Sequence, residues 1–203
     1  MRIARRPKPP ARTTAQARFD EGQAFVEQKK WDEALAAYRA AVEEDPEMSE
    51  AWYEIGMAEI MKNGKQPCVA AYGPLMRCLE LNPNHAGAHC GLGNYLHRVC
   101  RDDARAEEHL RASIELNPKL APAHQGLARV LDLRGDLDGA IREMLAYVTL
   151  SGDPDGSGKA HAAALLEKKK AGGSAAKPDA EAQARFPPPL VAPAPRPRVT
   201  SYD

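Results

Sequence analysis

The chain has 203 residues, with 28 Lys and Arg balancing 28 Asp and Glu, and it is 43% hydrophobic but only 5% aromatic. That length fits one folded unit of roughly 150 residues with additional segments, and no run approaches the ~18 uninterrupted apolar residues of a membrane-spanning helix. Scarce aromatic and β-branched residues, against abundant Ala, Leu, Glu and Arg, favour helices over sheets.

Residues 1–14 form a basic arm. From Met1 to Arg18 there are six cations (Arg2, Arg5, Arg6, Lys8, Arg12 and Arg18) and no acid. The charged start has no apolar stretch behind it, so it does not read as a secretion signal. A cytoplasmic protein with reduced cysteines is therefore expected. From Phe19 to Gly152 the chain holds 14 basic and 22 acidic residues, a net of −8, so the arm is a basic tail on an acidic body. Its plainest reading is a solvated arm touching that body transiently. Contact with nucleic acid or an anionic surface is the sharper alternative, and one short arm without interleaved aromatics is weak support for it.

The middle of the chain repeats. Glu44-Asp45-Pro46, Leu81-Asn82-Pro83 and Leu116-Asn117-Pro118 close similar segments at intervals of 37 and 35 residues, and Gly152-Asp153-Pro154 comes 36 residues later. Each segment carries two apolar-periodic runs separated by a breaker, and a proline just past a helix stops its continuation. The pattern predicts stacked helix–turn–helix units over about 15–48, 49–85, 86–120 and 121–154. Two units depart from it. The second carries three extra residues, and Pro74 should kink its second helix or make it start late. The third carries one extra residue, with its first helix ending near Cys100 and Asp102 or Asp103 capping the next.

Residues 156–170 predict a ninth, capping helix. Ala160, Ala163, Ala164 and Leu166 are expected to dock inward, and Lys168, Lys169 and Lys170 suit a helix C-terminus. The remainder, 171–203, is rich in Gly, Ala and Pro and reads as a disordered, partly polyproline tail. It has no Pro-x-x-Pro spacing, and Phe186-Pro187-Pro188-Pro189 is its one candidate linear motif.

The repeat resembles the tetratricopeptide family. In the first unit Gly22, Phe25, Ala34, Tyr38, Ala41 and Pro46 match the family's positions 8, 11, 20, 24, 27 and 32. The second has Trp52, Ile55 and Gly56, then Ala71, Leu75, Cys78 and Pro83. The third has Leu92, Gly93 and Leu96, then Ala106, Leu110, Ser113 and Pro118. The fourth gives Leu127, Ala128, Leu131, Ala140 and Met144, with Tyr147 in place of the small residue at 27. The resemblance implies an all-α, right-handed superhelical solenoid of four helix–turn–helix repeats plus the C-terminal capping helix. Small residues let the paired helices approach, and stability comes from stacking neighbours.

The resemblance also implies where function lies. Positions 2, 5, 9 and 12 of each first helix face a concave groove in this family. Here they hold Gln16, Phe19, Gln23 and Val26; Glu50, Tyr53, Met57 and Ile60; Gly87, Cys90, Asn94 and His97; and Pro122, Gln125, Arg129 and Asp132. The candidate partner-binding residues are Phe19, Gln23, Val26, Tyr53, Met57, Ile60, Cys90, Asn94, His97, Gln125 and Arg129. An apolar patch of this kind usually marks a binding site. The expected occupant is a peptide or helix of a protein partner, anchored by apolar side chains, with Asn94, Gln125 and Arg129 holding its polar or acidic part. Packing within the array is the alternative for any one of these residues. Phe19, Gln23 and Glu54 stand where the family's chaperone-tail clamp needs Lys and Asn, and Gly87 and Gly91 where it needs Lys and Arg, so that ligand is not expected.

Three function classes remain: a non-enzymatic adaptor or scaffold, a cytoplasmic chaperone for a secreted or assembly-competent subunit, and an enzyme. The sequence has no Gly-rich phosphate loop, no nucleophile elbow and no His-Glu-x-x-His. Cys68, Cys78, Cys90 and Cys100 form no Cys-x-x-Cys pair, and His97 with Cys100 completes no usual zinc pattern. No catalytic residue, cofactor or metal is therefore expected, and the adaptor, as a monomer, is preferred.

Overall fold

A computed structural model describes residues 14–64 and 69–172. The basic arm up to residue 13, Cys68, and the expected tail beyond Gly172 lie outside the described residues. The described residues form nine α-helices in order: α1 (Thr14–Glu27), α2 (Trp31–Glu44), α3 (Ser49–Asn63), α4 (Tyr72–Leu81), α5 (Ala86–Tyr95), α6 (Asp103–Leu116), α7 (Ala121–Arg134), α8 (Leu137–Ser151) and α9 (Ser157–Lys170). A 3-10 turn, Val69–Ala71, leads into α4, and a π turn, Leu96–Cys100, extends α5. Each helix packs on its neighbours in the chain, and α5 also meets α3 and α7. The result is an all-α helical-repeat solenoid with no strand among the described residues.

The small and large positions act as the sequence pattern requires. Tyr38, Leu75, Leu110 and Met144 stand at equivalent places and are fully buried. Their partners across the helix pair are small: a β-carbon on Gly22 would lie 2.5 Å from the Tyr38 ring, and one on Gly93 would lie 2.7 Å from Leu110 and 3.1 Å from the Ala106 carbonyl. Such approaches leave no room for any other residue.

The Asp-Pro and Asn-Pro signals mark one turn used three times. Asp45, Asn82 and Asn117 each end a helix and accept, through Oδ1, the N–H two residues on, at 3.1, 3.2 and 3.1 Å. The carbonyl of the proline in each turn is held by the next helix. Trp52 Nε1, His89 Nε2 and His124 Nε2 donate to Pro46, Pro83 and Pro118 respectively, each at 3.0 Å and each six residues on from its proline. A ring N–H at this place satisfies a carbonyl that the helix end leaves open.

The two irregular units resolve differently. In the second, α4 starts late, at Tyr72, so Pro74 sits in the first turn, where its missing N–H has no intrahelical partner to lose. In the third, the extra residue is absorbed by the π turn. It closes through Arg101 N and Asp102 N, both donating to the Leu96 carbonyl, with Arg101 at φ 56. Asp102 then caps α6 by accepting from Arg105 N at 3.1 Å.

The capping helix docks on a different face from the one expected. Asp153, itself 5% exposed, accepts the N–H groups of Gly158 and Lys159 at 2.8 and 2.9 Å. Gly158 lies against Val148 and Tyr147, which sets the helix phase. Gly158, Ala162 and Leu165 therefore face inward, at spacings of four and three, while Ala160, Ala163, Ala164 and Leu166 are exposed. Lys168 and Lys169 reach back to Asp132 and Asp138.

Candidate functional site

The concave face carries a cavity of about 330 Å³ between α3, α5 and α7. Tyr53, Met57, Ile60 and Met61 form one wall, and Gly87, Cys90, Gly91 and Asn94 form the floor. Tyr95 at the end of α5 and Arg98 and Val99 of the π turn close one end, and Leu120, Pro122, Gln125 and Arg129 form the far wall.

Glycine shapes this floor. The tip of the Tyr53 ring sits where a β-carbon of residue 87 would be, at 2.8–2.9 Å, and Leu75 comes to 3.1 Å of the same position on Gly91. Tyr53 stacks on His85 with ring centroids 4.5 Å apart. His85 Nδ1 accepts the Ala88 N–H at 3.0 Å, so its Nε2–H donates to Glu50, also at 3.0 Å. Burial pushes the Tyr53 phenol up to about 12, with the nearby Glu54 and Cys90 adding to the effect. Burial likewise pushes the Cys90 thiol up to about 11, against a small opposing effect of the Asn94 hydrogen bond. Both groups are neutral at neutral pH, so the floor is uncharged.

Of the residues named from sequence, Tyr53, Met57, Ile60, Cys90, Asn94, Gln125 and Arg129 come together around this cavity. Asn94 is already engaged: its Nδ2 donates to the Cys90 carbonyl at 2.9 Å, and Gly126 leaves space for its Oδ1. Phe19, Gln23 and Val26 lie elsewhere. Phe19 is buried against Tyr38, ring centroids 5.5 Å apart, Val26 packs partly on the same core, and Gln23 is exposed on α1.

His97 also leaves the groove stripe. It is buried, with Nδ1 2.7 Å from Asp103 Oδ1. The π turn is the reason, because one extra residue in a turn rotates the rest of the helix by about 100°. That rotation puts Arg98 and Val99 at the cavity in place of His97, beside Tyr95 at the end of α5. The groove stripe read from sequence misses these three, and the signal for them is the spacing: Gly93 to Ala106 is one residue longer than Gly22 to Ala34 or Ala128 to Ala140.

His89, His109 and His124 link neighbouring helices of the array. His89 gives its Nε2–H to Pro83, so its Nδ1 accepts from His109 Nδ1 at 2.9 Å. Burial lowers both, His109 to about 4 with help from His89 and Arg105. His124 bridges the Pro118 carbonyl, 3.0 Å from its Nε2, and the Glu143 carboxylate, 2.7 Å from its Nδ1. Cys78, Cys90 and Cys100 are free and buried. Among the described residues no three His, Cys, Asp or Glu side chains are placed to hold a metal, and no helix is long and apolar enough to cross a membrane.

Known proteins share this architecture. A family model described as a tetratricopeptide repeat matches residues 19–65. No curated protein matches the sequence. Among solved structures, MamA from Desulfovibrio magneticus is similar, with a TM-score of 0.57, 20% identity and coverage of 79% of this chain and 97% of that one. YrrB, described as a TPR protein with an unusual peptide-binding site, gives 0.54 and 22% over 77% and 75%. A mutant of the Thermobaculum terrenum O-GlcNAc transferase gives 0.58 and 21% over 68% of this chain, but only 27% of that enzyme. At these identities the solved structures speak for the fold alone. The family model covers α1, α2 and α3, and the same pairing of helices around equivalent core positions continues through α8, so the described residues have the fold of a tetratricopeptide-repeat array.

Proposed function

We propose that this protein is a non-catalytic interaction scaffold that holds a segment of a protein partner in the concave cavity between α3, α5 and α7. One observation carries this reading: an apolar, uncharged floor, at which Gly87 and Gly91 let Tyr53 and Leu75 approach closely, lies open beside two methionines, Met57 and Met61. Methionine adapts its shape to an inserted side chain at little cost, and a cavity of a few hundred Å³ takes one or two such side chains. The fold neighbour YrrB is itself described as peptide-binding, which is consistent with this use of the groove.

Selection from a displayed library of random peptides tests it. The immobilised full chain should enrich peptides that the Tyr53→Ala/Met57→Ala variant, of unchanged helical circular dichroism, no longer retains. Equal retention by both proteins, or no enrichment on either, contradicts the reading.

A further inference from the structure

Building on that reading, we infer that the partner segment presents an apolar side chain to the cavity with a side-chain carboxylate beside it, and that Arg129 is the residue that selects for the carboxylate. Among the described residues the cavity lining holds two charges, Arg98 and Arg129, and no acid. This is unusual for its surroundings, since Phe19 to Gly152 carries a net of −8. Elsewhere in the array Arg39, Arg77, Arg105, Arg111 and Arg134 each hold a carboxylate of the protein itself. Arg129 is exposed at the rim and forms no ion pair or side-chain hydrogen bond among the described residues.

Arg129 is one turn from Gln125 on α7, so a guanidinium and an amide share the wall opposite Tyr53 and Met57. A planar guanidinium presents paired N–H groups that match a carboxylate. Beside an apolar floor that excludes water, the pair is stronger than at an open surface. The same charge acts against occupants from this chain. The Met1–Arg18 segment has six cations and no acid, and Phe186-Pro187-Pro188-Pro189 comes directly after Arg185. Either would bring like charge against Arg98 and Arg129.

The probes are synthetic nine-residue peptides, acetylated and amidated so that no terminal charge contributes, with Leu or Phe at the centre. Flanking positions are Asp in one pool, Asn in a second and Lys in a third. On the full chain, measured by competition with a labelled peptide retained by the cavity, Asp pools should bind about tenfold tighter than Asn pools, and Lys pools weakest. Arg129→Gln, an exposed substitution that leaves the fold intact, should bring the Asp and Asn pools together. Asp and Asn pools that bind alike overturn the inference and leave the scaffold reading standing. Preference for Lys pools also overturns it and gives the groove to a basic segment such as residues 185–190. Failure of every peptide to bind overturns both.

Discussion

The phenol of Tyr53 fills the space above Gly87: its ring tip lies 2.8–2.9 Å from where a β-carbon on residue 87 would stand. Two neighbouring repeats thereby make the cavity together, the second supplying the ring and the third the space for it. Gly87→Ala should push Tyr53 aside at its flexible end. The lost contacts are offset in part by the better helix propensity of Ala, about 1 kcal/mol. We expect a thermal midpoint close to wild type and a weakened peptide affinity. Unchanged affinity would mean that Tyr53 does not shape the site.

Gly93 is the contrasting case. A β-carbon there meets Leu110 at 2.7 Å and the Ala106 carbonyl at 3.1 Å, and Leu110 is fully buried. Neither neighbour can swing into solvent, so Gly93→Ala should cost about 1–2 kcal/mol net of the helix propensity gain. Chemical denaturation measures this, and a stabilised variant would contradict the packing described.

Lys29 and Arg101 end first helices with φ of 57 and 56, at the place where Gly135 has φ 83 in the fourth repeat. Left-handed backbone disfavours a side chain by about 1 kcal/mol. Lys29→Gly and Arg101→Gly should each raise stability by about 0.5–1 kcal/mol. A lower thermal midpoint in both would show that their side chains contribute more than the backbone strain costs.

The His89–His109 pair makes the third repeat sensitive to acid. Both rings are held below the ordinary value of 6.5, His109 at about 4. The unfolded chain therefore takes up protons at these rings first. Their contribution is retained above pH 6.5 and lost progressively as pH falls from 6.5 toward 4. His85 and Arg105, which also face the pair, add to the cost of protonation. The wild type should lose more of its thermal midpoint across that range than His109→Gln does, and equal losses would sink this assignment.

Asp153 holds α9 through two backbone bonds while almost fully buried. Asp153→Ala removes a cap worth about 1–2 kcal/mol. Hydrogen exchange should then speed up in residues 157–170 and stay unchanged in α5. Unaltered protection of α9 would mean that Ala162 and Leu165 suffice to dock it.

Much of the fold is legible in the sequence because the repeat forces the same solution several times. The Asp-Pro and Asn-Pro turns and the small residue facing a large one are set by spacing. Of the cavity, Tyr53, Met57, Cys90, Asn94, Gln125 and Arg129 share the fifth and ninth positions of the second, third and fourth units, so one stripe gathers them. The stripe fails in two places. In the first unit Phe19 turns into the core against Tyr38 instead of facing the groove. In the third, a π turn is invisible to a 3.6-residue period, so the stripe assigns His97 to the groove and omits Arg98. The phase of α9 is also out of reach, because Asp153 and Gly158 set it through the backbone rather than through the apolar pattern.

The central claim is that the partner segment enters the cavity between α3, α5 and α7. The most direct measurement is a methyl NMR titration of the full chain, labelled at the methionine methyl groups, with a peptide selected from the random library. Met57 and Met61 line the cavity, whereas Met76 and Met144 are buried in the core and Met48 packs in the first repeat. The account predicts saturating shifts at Met57 and Met61 with Met48, Met76 and Met144 unmoved. Shifts at Met48 alone, or binding that leaves Met57 and Met61 where they were, would place the partner elsewhere on the array.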